Sequence, residues 1–98
     1  FLCKDLNNVN YNFIDNYIPN KADIIFLMSL GSWINNWRNL YEYSLTKGKQ
    51  IILEVNNAKE GKEQLDFFYE NNKKIQKIID NSKDDTTGNN KRSTYLIK

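Results

Sequence analysis

The stretch Ala22-Asp23-Ile24-Ile25-Phe26-Leu27-Met28-Ser29-Leu30-Gly31-Ser32-Trp33 constrains this chain more than any other, because an apolar run ends there abruptly in small and polar residues. The uninterrupted apolar residues Ile24 to Met28, β-branched and aromatic in character, are too few for a helix of their own. They read as a strand buried on both faces. Ser29, Gly31 and Ser32 break the run, and from Trp33 onward apolar residues recur at Ile34, Trp37, Leu40, Tyr41 and Leu45, the one-sided spacing of an amphipathic helix. The motif is strand, tight turn, helix. In an open α/β sheet the turn leaving the carboxyl end of a strand is where ligands sit, since the strand fixes the loop and the next helix presents its positive end there.

Composition bounds what can be built on that motif. With 98 residues, 40% hydrophobic and 27% charged, the chain suits one α/β domain, residues 1–98, with a modest core. A net charge of +2 lacks the dense basic character of proteins held to nucleic acid by charge alone. Nucleic acid is therefore not the favoured partner. The single cysteine, Cys3, cannot close an internal disulfide, and histidine, the commonest general base and metal ligand, is absent, so no metal site is expected. No apolar run approaches the roughly 20 residues of a membrane span, and no charged-then-apolar leader opens the chain. The expectation is a soluble cytoplasmic protein without a membrane partner. Phe1-Leu2-Cys3-Lys4-Asp5-Leu6 reads as the end of a strand already under way, and there is no initiating methionine, so a longer parent is expected.

Taken in order, the strand end at Phe1 to Cys3 is followed by Asp5 and by the turn-rich Asn7-Asn8-Val9-Asn10. A short helix follows, with Tyr11, Ile14, Tyr17 and Ile18 on one side, closed by Pro19 and Asn20. After the apolar strand, Ser32 is a candidate N-cap and Gly48 a candidate C-terminal stop for the next helix. Gln50 to Val55 reads as a second buried strand. Asn57 and Glu60 have capping-box spacing before a helix that turns Leu65, Phe68 and Tyr69 inward, with Phe67 at the margin, and ends at Asn71-Asn72. Lys74 to Ile79 reads as an edge strand whose lysines face water, Asp84 to Asn90 as a polar loop, and Arg92 to Ile97 as a last strand closing a hairpin.

Alternating strands and helices imply parallel strands joined by right-handed crossovers, and the terminal hairpin forces one antiparallel strand into the sheet. The expected fold is thus a partial doubly wound, Rossmann-like sheet, mostly parallel, ending in an antiparallel hairpin. This arrangement resembles the carboxyl-terminal two-thirds of a class I S-adenosylmethionine-dependent methyltransferase. Phe1 to Leu6 resembles that family's third strand and the acidic residue after it, Asp23 to Ser29 its fourth strand and turn, and Lys49 to Val55, with Gly48 and Glu54, its fifth. Ile75 to Ile79 and Thr94 to Ile97 resemble the final hairpin. The glycine-rich turn after the first strand and the acidic residue that holds the ribose are not in this sequence; both would precede Phe1.

The resemblance implies S-adenosylmethionine as cofactor and a methyltransferase activity of the whole protein, with the 98-residue piece alone inactive. It implies that Asp5, with Leu6, holds the adenine, that Met28, Ser29 and Leu30 line the methionine side of the cofactor, and that Trp33 or Trp37 packs on the sulfonium or on the acceptor. No catalytic residue is implied. The turn Ser29-Leu30-Gly31-Ser32-Trp33 lacks both the Asn/Asp-Pro-Pro-aromatic pattern of amino-group methylating enzymes and the Pro-Cys pattern of cytosine C5 enzymes. An acceptor that is a small molecule, a glycan or an RNA end is favoured instead, and Ser29-x-x-x-Trp33-Ile34 is similar to a pattern in enzymes that methylate RNA terminal phosphates.

Each residue also has a plainer role open to it. Asp5 suits a turn cap, Trp33 and Trp37 suit core positions, Ser29 and Gly31 suit turn geometry, and Glu54 suits an edge carboxylate. Two other readings stand beside the enzyme: a catalytically silent Rossmann-like module that docks a partner through its aromatic helix, and a receiver-type α/β domain, which the terminal hairpin disfavours. In the absence of earlier strands, the edge at Asp23 to Met28 is expected to lie unpaired and to favour self-association.

Overall fold

The computed structural model describes residues 3–8, 10–56, 58–83 and 91–98. Four strands, β1 (Ala22–Met28), β2 (Gly48–Glu54), β3 (Ile75–Lys83) and β4 (Lys91–Ile97), form one mixed sheet in the order β1-β2-β4-β3. β1 pairs parallel to β2 with Ile25 beside Ile51 and Leu27 beside Leu53. β4 lies antiparallel to both β2 and β3. Three strands therefore share a direction, but only β1 and β2 make a parallel pair, because β4 is inserted between β2 and β3.

Two α-helices, α1 (Trp37–Lys47) and α2 (Ala58–Glu70), serve as the crossovers. Both crossovers step the same way along the sheet, and right-handed crossovers that do so place their helices on the same face. Leu40 and Tyr41 of α1 and Phe68 of α2 accordingly share one core with Leu27, Ile51, Leu53 and Ile97, while Ile25, Ile75 and Tyr95 pack at its edge. Tyr41 and Phe68 stack at 5.4 Å, and Trp37 and Phe67 add edge contacts to the ring cluster.

One-sided coverage corrects the reading of β1 as buried on both faces. Leu27 is buried, but Ile24, Phe26 (63% exposed) and Met28 point away from the helices and stand open. The helix expected from Trp33 is also corrected. Gly31–Trp33 is a separate 3-10 turn, and α1 starts at Trp37 behind Asn36. Ser32 does not cap it; its hydroxyl donates to Glu60. In α2 the inward face runs through Gly61, Gln64 and Phe68, leaving Leu65 half-buried and Tyr69 exposed. The expected end at Asn71-Asn72 is present: Asn72 takes a left-handed conformation (φ 59°), and Lys73 N–H donates to the Phe68 carbonyl at 3.0 Å.

Ahead of β1, the expected short helix is a 3-10 helix at Tyr11–Asn16. It packs on α1 through Tyr11 and Tyr43, and Lys47, buried at the end of α1, is held by Asp15 at 2.8 Å and by the Ile18 carbonyl. Cys3 is irregular and exposed. The expected strand residues Phe1 and Leu2, the expected capping residue Asn57 and the expected loop Asp84 to Asn90 lie outside the described residues. Among the described residues no helix is long and apolar enough to cross a membrane.

Candidate functional site at the carboxyl ends of the parallel strands

β1 and β2 end side by side, with Met28 opposite Glu54. Ser29 follows at φ 54°, a left-handed conformation uncommon for a residue with a side chain. Three of its polar groups are engaged there. Its N–H donates to the Glu54 carbonyl at 2.9 Å, its carbonyl accepts from Asn56 Nδ2 at 2.8 Å, and its hydroxyl donates to Glu54 Oε1. Arg92, reaching in from β4, donates from Nη1 to Ser29 Oγ at 2.8 Å and to Glu54 Oε1 at 3.2 Å. The Glu54 and Arg92 side chains are only 16% and 14% exposed, so this is a charged pair largely withdrawn from water.

Asn56 extends the cluster to the next turn. Its Oδ1 accepts from Ser32 N–H at 3.2 Å, so one carboxamide ties the residue after β1 to the 3-10 turn two residues later. That turn closes over the start of α2, where Ser32 donates to Glu60 and Gly31 lies against Gln64. A methyl group added at Gly31 would sit 2.1 Å from Gln64 Nε2, so a side chain there would have to push the Gln64 carboxamide aside. Gln64 is itself buried and accepts the Tyr41 hydroxyl proton on Oε1 at 2.9 Å. Burial pushes the Tyr41 phenol well above its ordinary pKa, so it stays a donor. Between these parts is a cavity of about 290 Å³, lined by Ser32, Ile34, Trp37, Glu60, Glu63 and Gln64 among others.

Of the residues expected at a cofactor site, Ser29 lies at the centre of the cluster and Leu30 half-buried beside it, while Met28 turns its side chain to the open face of the sheet. Asp5 is exposed and closes a turn, accepting from Asn7 N–H at 3.0 Å and from Asn8 Nδ2 at 2.8 Å. These bonds, the Asn7 backbone first, hold its carboxyl below the usual range. Leu6 is half-buried against the core, and its carbonyl accepts the Tyr11 hydroxyl. Trp33 is 75% exposed, whereas Trp37 is packed among Tyr41, Phe67 and the Arg38 guanidinium, 4.3 Å from its ring.

Asn7 joins the two expected halves of the site. Its Oδ1 accepts from Asn35 N–H at 2.8 Å and its Nδ2 donates to the Trp33 carbonyl at 3.2 Å, which pins the turn at Asp5 to the loop carrying Trp33. Asn7, Asn56 and Arg92 were not among the residues singled out from the sequence. Asn56 directly after a strand was the readable sign; the others act across the chain. Among the described residues no group of three or more His, Cys, Asp or Glu side chains is placed to hold a metal ion.

No protein-family model, no curated protein and no solved structure matches this chain.

Proposed function

We propose that this chain is the carboxyl-terminal part of an S-adenosylmethionine-dependent methyltransferase with a Rossmann-like sheet. The observation that carries the reading is the order β1-β2-β4-β3, in which β1, β2 and β3 run one way and the last strand enters antiparallel between β2 and β3. This is the terminal-hairpin arrangement expected of that family, and the clamped turn after β1 lies where an open α/β sheet presents its ligands.

The cofactor supplies a methyl group on a positively charged sulfonium. The protein's task is to align two reactants and exclude water, which asks for rigid loops more than for an acid, base or metal. The Ser29, Glu54, Arg92 and Asn56 bonds provide such rigidity at the turn. Asp5 and Leu6 would hold the adenine end, and Met28, Ser29 and Leu30 the methionine end. The exposed Trp33 offers its π-face to a cation, an interaction of about 0.5 to 2 kcal/mol once desolvated, while one side of Trp37 is taken by Arg38.

Calorimetric titration of S-adenosylmethionine and S-adenosylhomocysteine into the full gene product tests this. Micromolar binding weakened by Asp5→Ala is the expected result. A folded protein that binds neither compound removes the reading. It would favour the silent interaction module, for which the open apolar face at Ile24, Phe26 and Met28 is the supporting observation.

A further inference from the structure

The cavity between the 3-10 turn and α2 has a chemistry of its own. Its volume of about 290 Å³ is at the small end for ligand sites, near 300 Å³, enough for a single ring. Gln64, 1% exposed, spends Oε1 on Tyr41, and its Nε2 lies against Gly31, whose place in the lining the two residues share. Nε2 donates to no described group and is not sealed from solvent, so it can donate to a molecule in the cavity. Glu63 presents an exposed carboxylate at the rim, which accepts hydrogen bonds and repels anions. Trp37 and Ile34 supply the smaller, apolar part of a mostly polar lining, to which Ser32 and Asn35 add neutral polar groups.

A hydroxyl group meets these demands together, because it accepts from Gln64 and donates to Glu63. A small ring with several hydroxyls suits this mostly polar lining, whereas phosphate meets carboxylates at Glu60 and Glu63 and no basic residue in the lining. We infer that this cavity binds a neutral sugar ring, the chemistry shared by a free glycoside and the ribose of a nucleoside. The inference rests on the methyltransferase reading only in taking that ring for part of the acceptor; the binding itself does not.

Two-dimensional ¹⁵N NMR of the full gene product tests it, following the Gln64 side-chain amide pair and the Trp37 indole N–H. The probes are methyl β-glucopyranoside, uridine, inorganic phosphate, and tetrahydropyran as a ring without hydroxyls. A saturable shift of the Gln64 amide with either sugar, and none with tetrahydropyran or phosphate, is expected; a response to the glycoside alone assigns a glycan, and one to uridine alone a ribose. Glu63→Ala, an exposed position, should weaken the response at least about tenfold with the rest of the spectrum unchanged. No saturable shift with either sugar, equal shifts with tetrahydropyran, or binding unaffected by Glu63→Ala overturns the inference. Cofactor titration followed at Ser29 and Asn56 reads the methyltransferase proposal separately, so the two can fail independently.

Discussion

At Ser29 the hydroxyl, N–H and carbonyl are all bonded while the backbone sits at φ 54°. Left-handed backbone at a non-glycine residue costs about 1 kcal/mol or more, so the bonds hold a strained turn in place. Ser29→Ala keeps the strain and loses the hydroxyl bonds, and should reduce stability by about 1 to 2 kcal/mol. Ser29→Gly loses the same bonds but relieves the backbone, so urea unfolding should show the smaller loss for glycine. The reverse order would show that the turn is not strained. Asp15 gives a second residue-scale expectation. Lys47, and after it Tyr43, hold its carboxyl below the ordinary value of 3.8. A lowered folded-state pKa contributes stability that is present above the unfolded value and lost as pH falls through the folded one. The melting temperature should therefore fall on acidification through the carboxylate range, and less steeply in Asp15→Asn. The sequence made Ser29 legible as a turn residue because it ends an apolar run. It did not show Asn7 or Arg92, whose partners lie 26 to 63 positions away in the chain.

Element by element, apolar periodicity located β1, β2 and β4 to within a residue or two at most ends, since an apolar run beside polar turn residues has few other ways to bury itself. The helices were less legible. Trp33 continues the helical spacing of α1, yet Gly31 and Ser32 are committed to α2, so the chain makes a tight turn there before the helix begins. Gln64 looks like a solvent residue by type. Its bond to Tyr41 allows it to be buried, and the inward face of α2 rotates with it. The end of α2 was readable, because asparagine tolerates the left-handed position that closes a helix. Asn72, at φ 59°, is followed by the Lys73 to Phe68 bond of that closure. Asn72→Gly should raise stability by about 0.5 to 1 kcal/mol in thermal or chemical denaturation, as no described hydrogen bond depends on the Asn72 side chain.

For the molecule as a whole, the open sheet is the dominant feature. Among the described residues β1 pairs on one side only, and its outward residues Ile24, Phe26 and Met28 form an apolar strip without a charge. Long apolar edges of this kind recruit other strands. The 98-residue chain by itself should scatter light as an assembly larger than a monomer, and Phe26→Lys should shift it toward the monomer. A clean monomer of the unaltered chain would remove the expectation. Which face stays open could not be read from residue types, because Ile24 and Leu27 are equally apolar; the direction of the crossovers decides between them.

The inserted last strand carries a consequence for the order in which the sheet assembles. Among the described residues β3 pairs with no strand but β4, and β4 bridges it to β2. During synthesis β3 thus leaves the ribosome before its only neighbour exists, and it must wait, two edges exposed, until residues 91–97 arrive between it and β2. Folding of the sheet is then completed from the middle outward in a single late event, and pulsed hydrogen exchange should show the β3 amides gaining protection no earlier than those of β4.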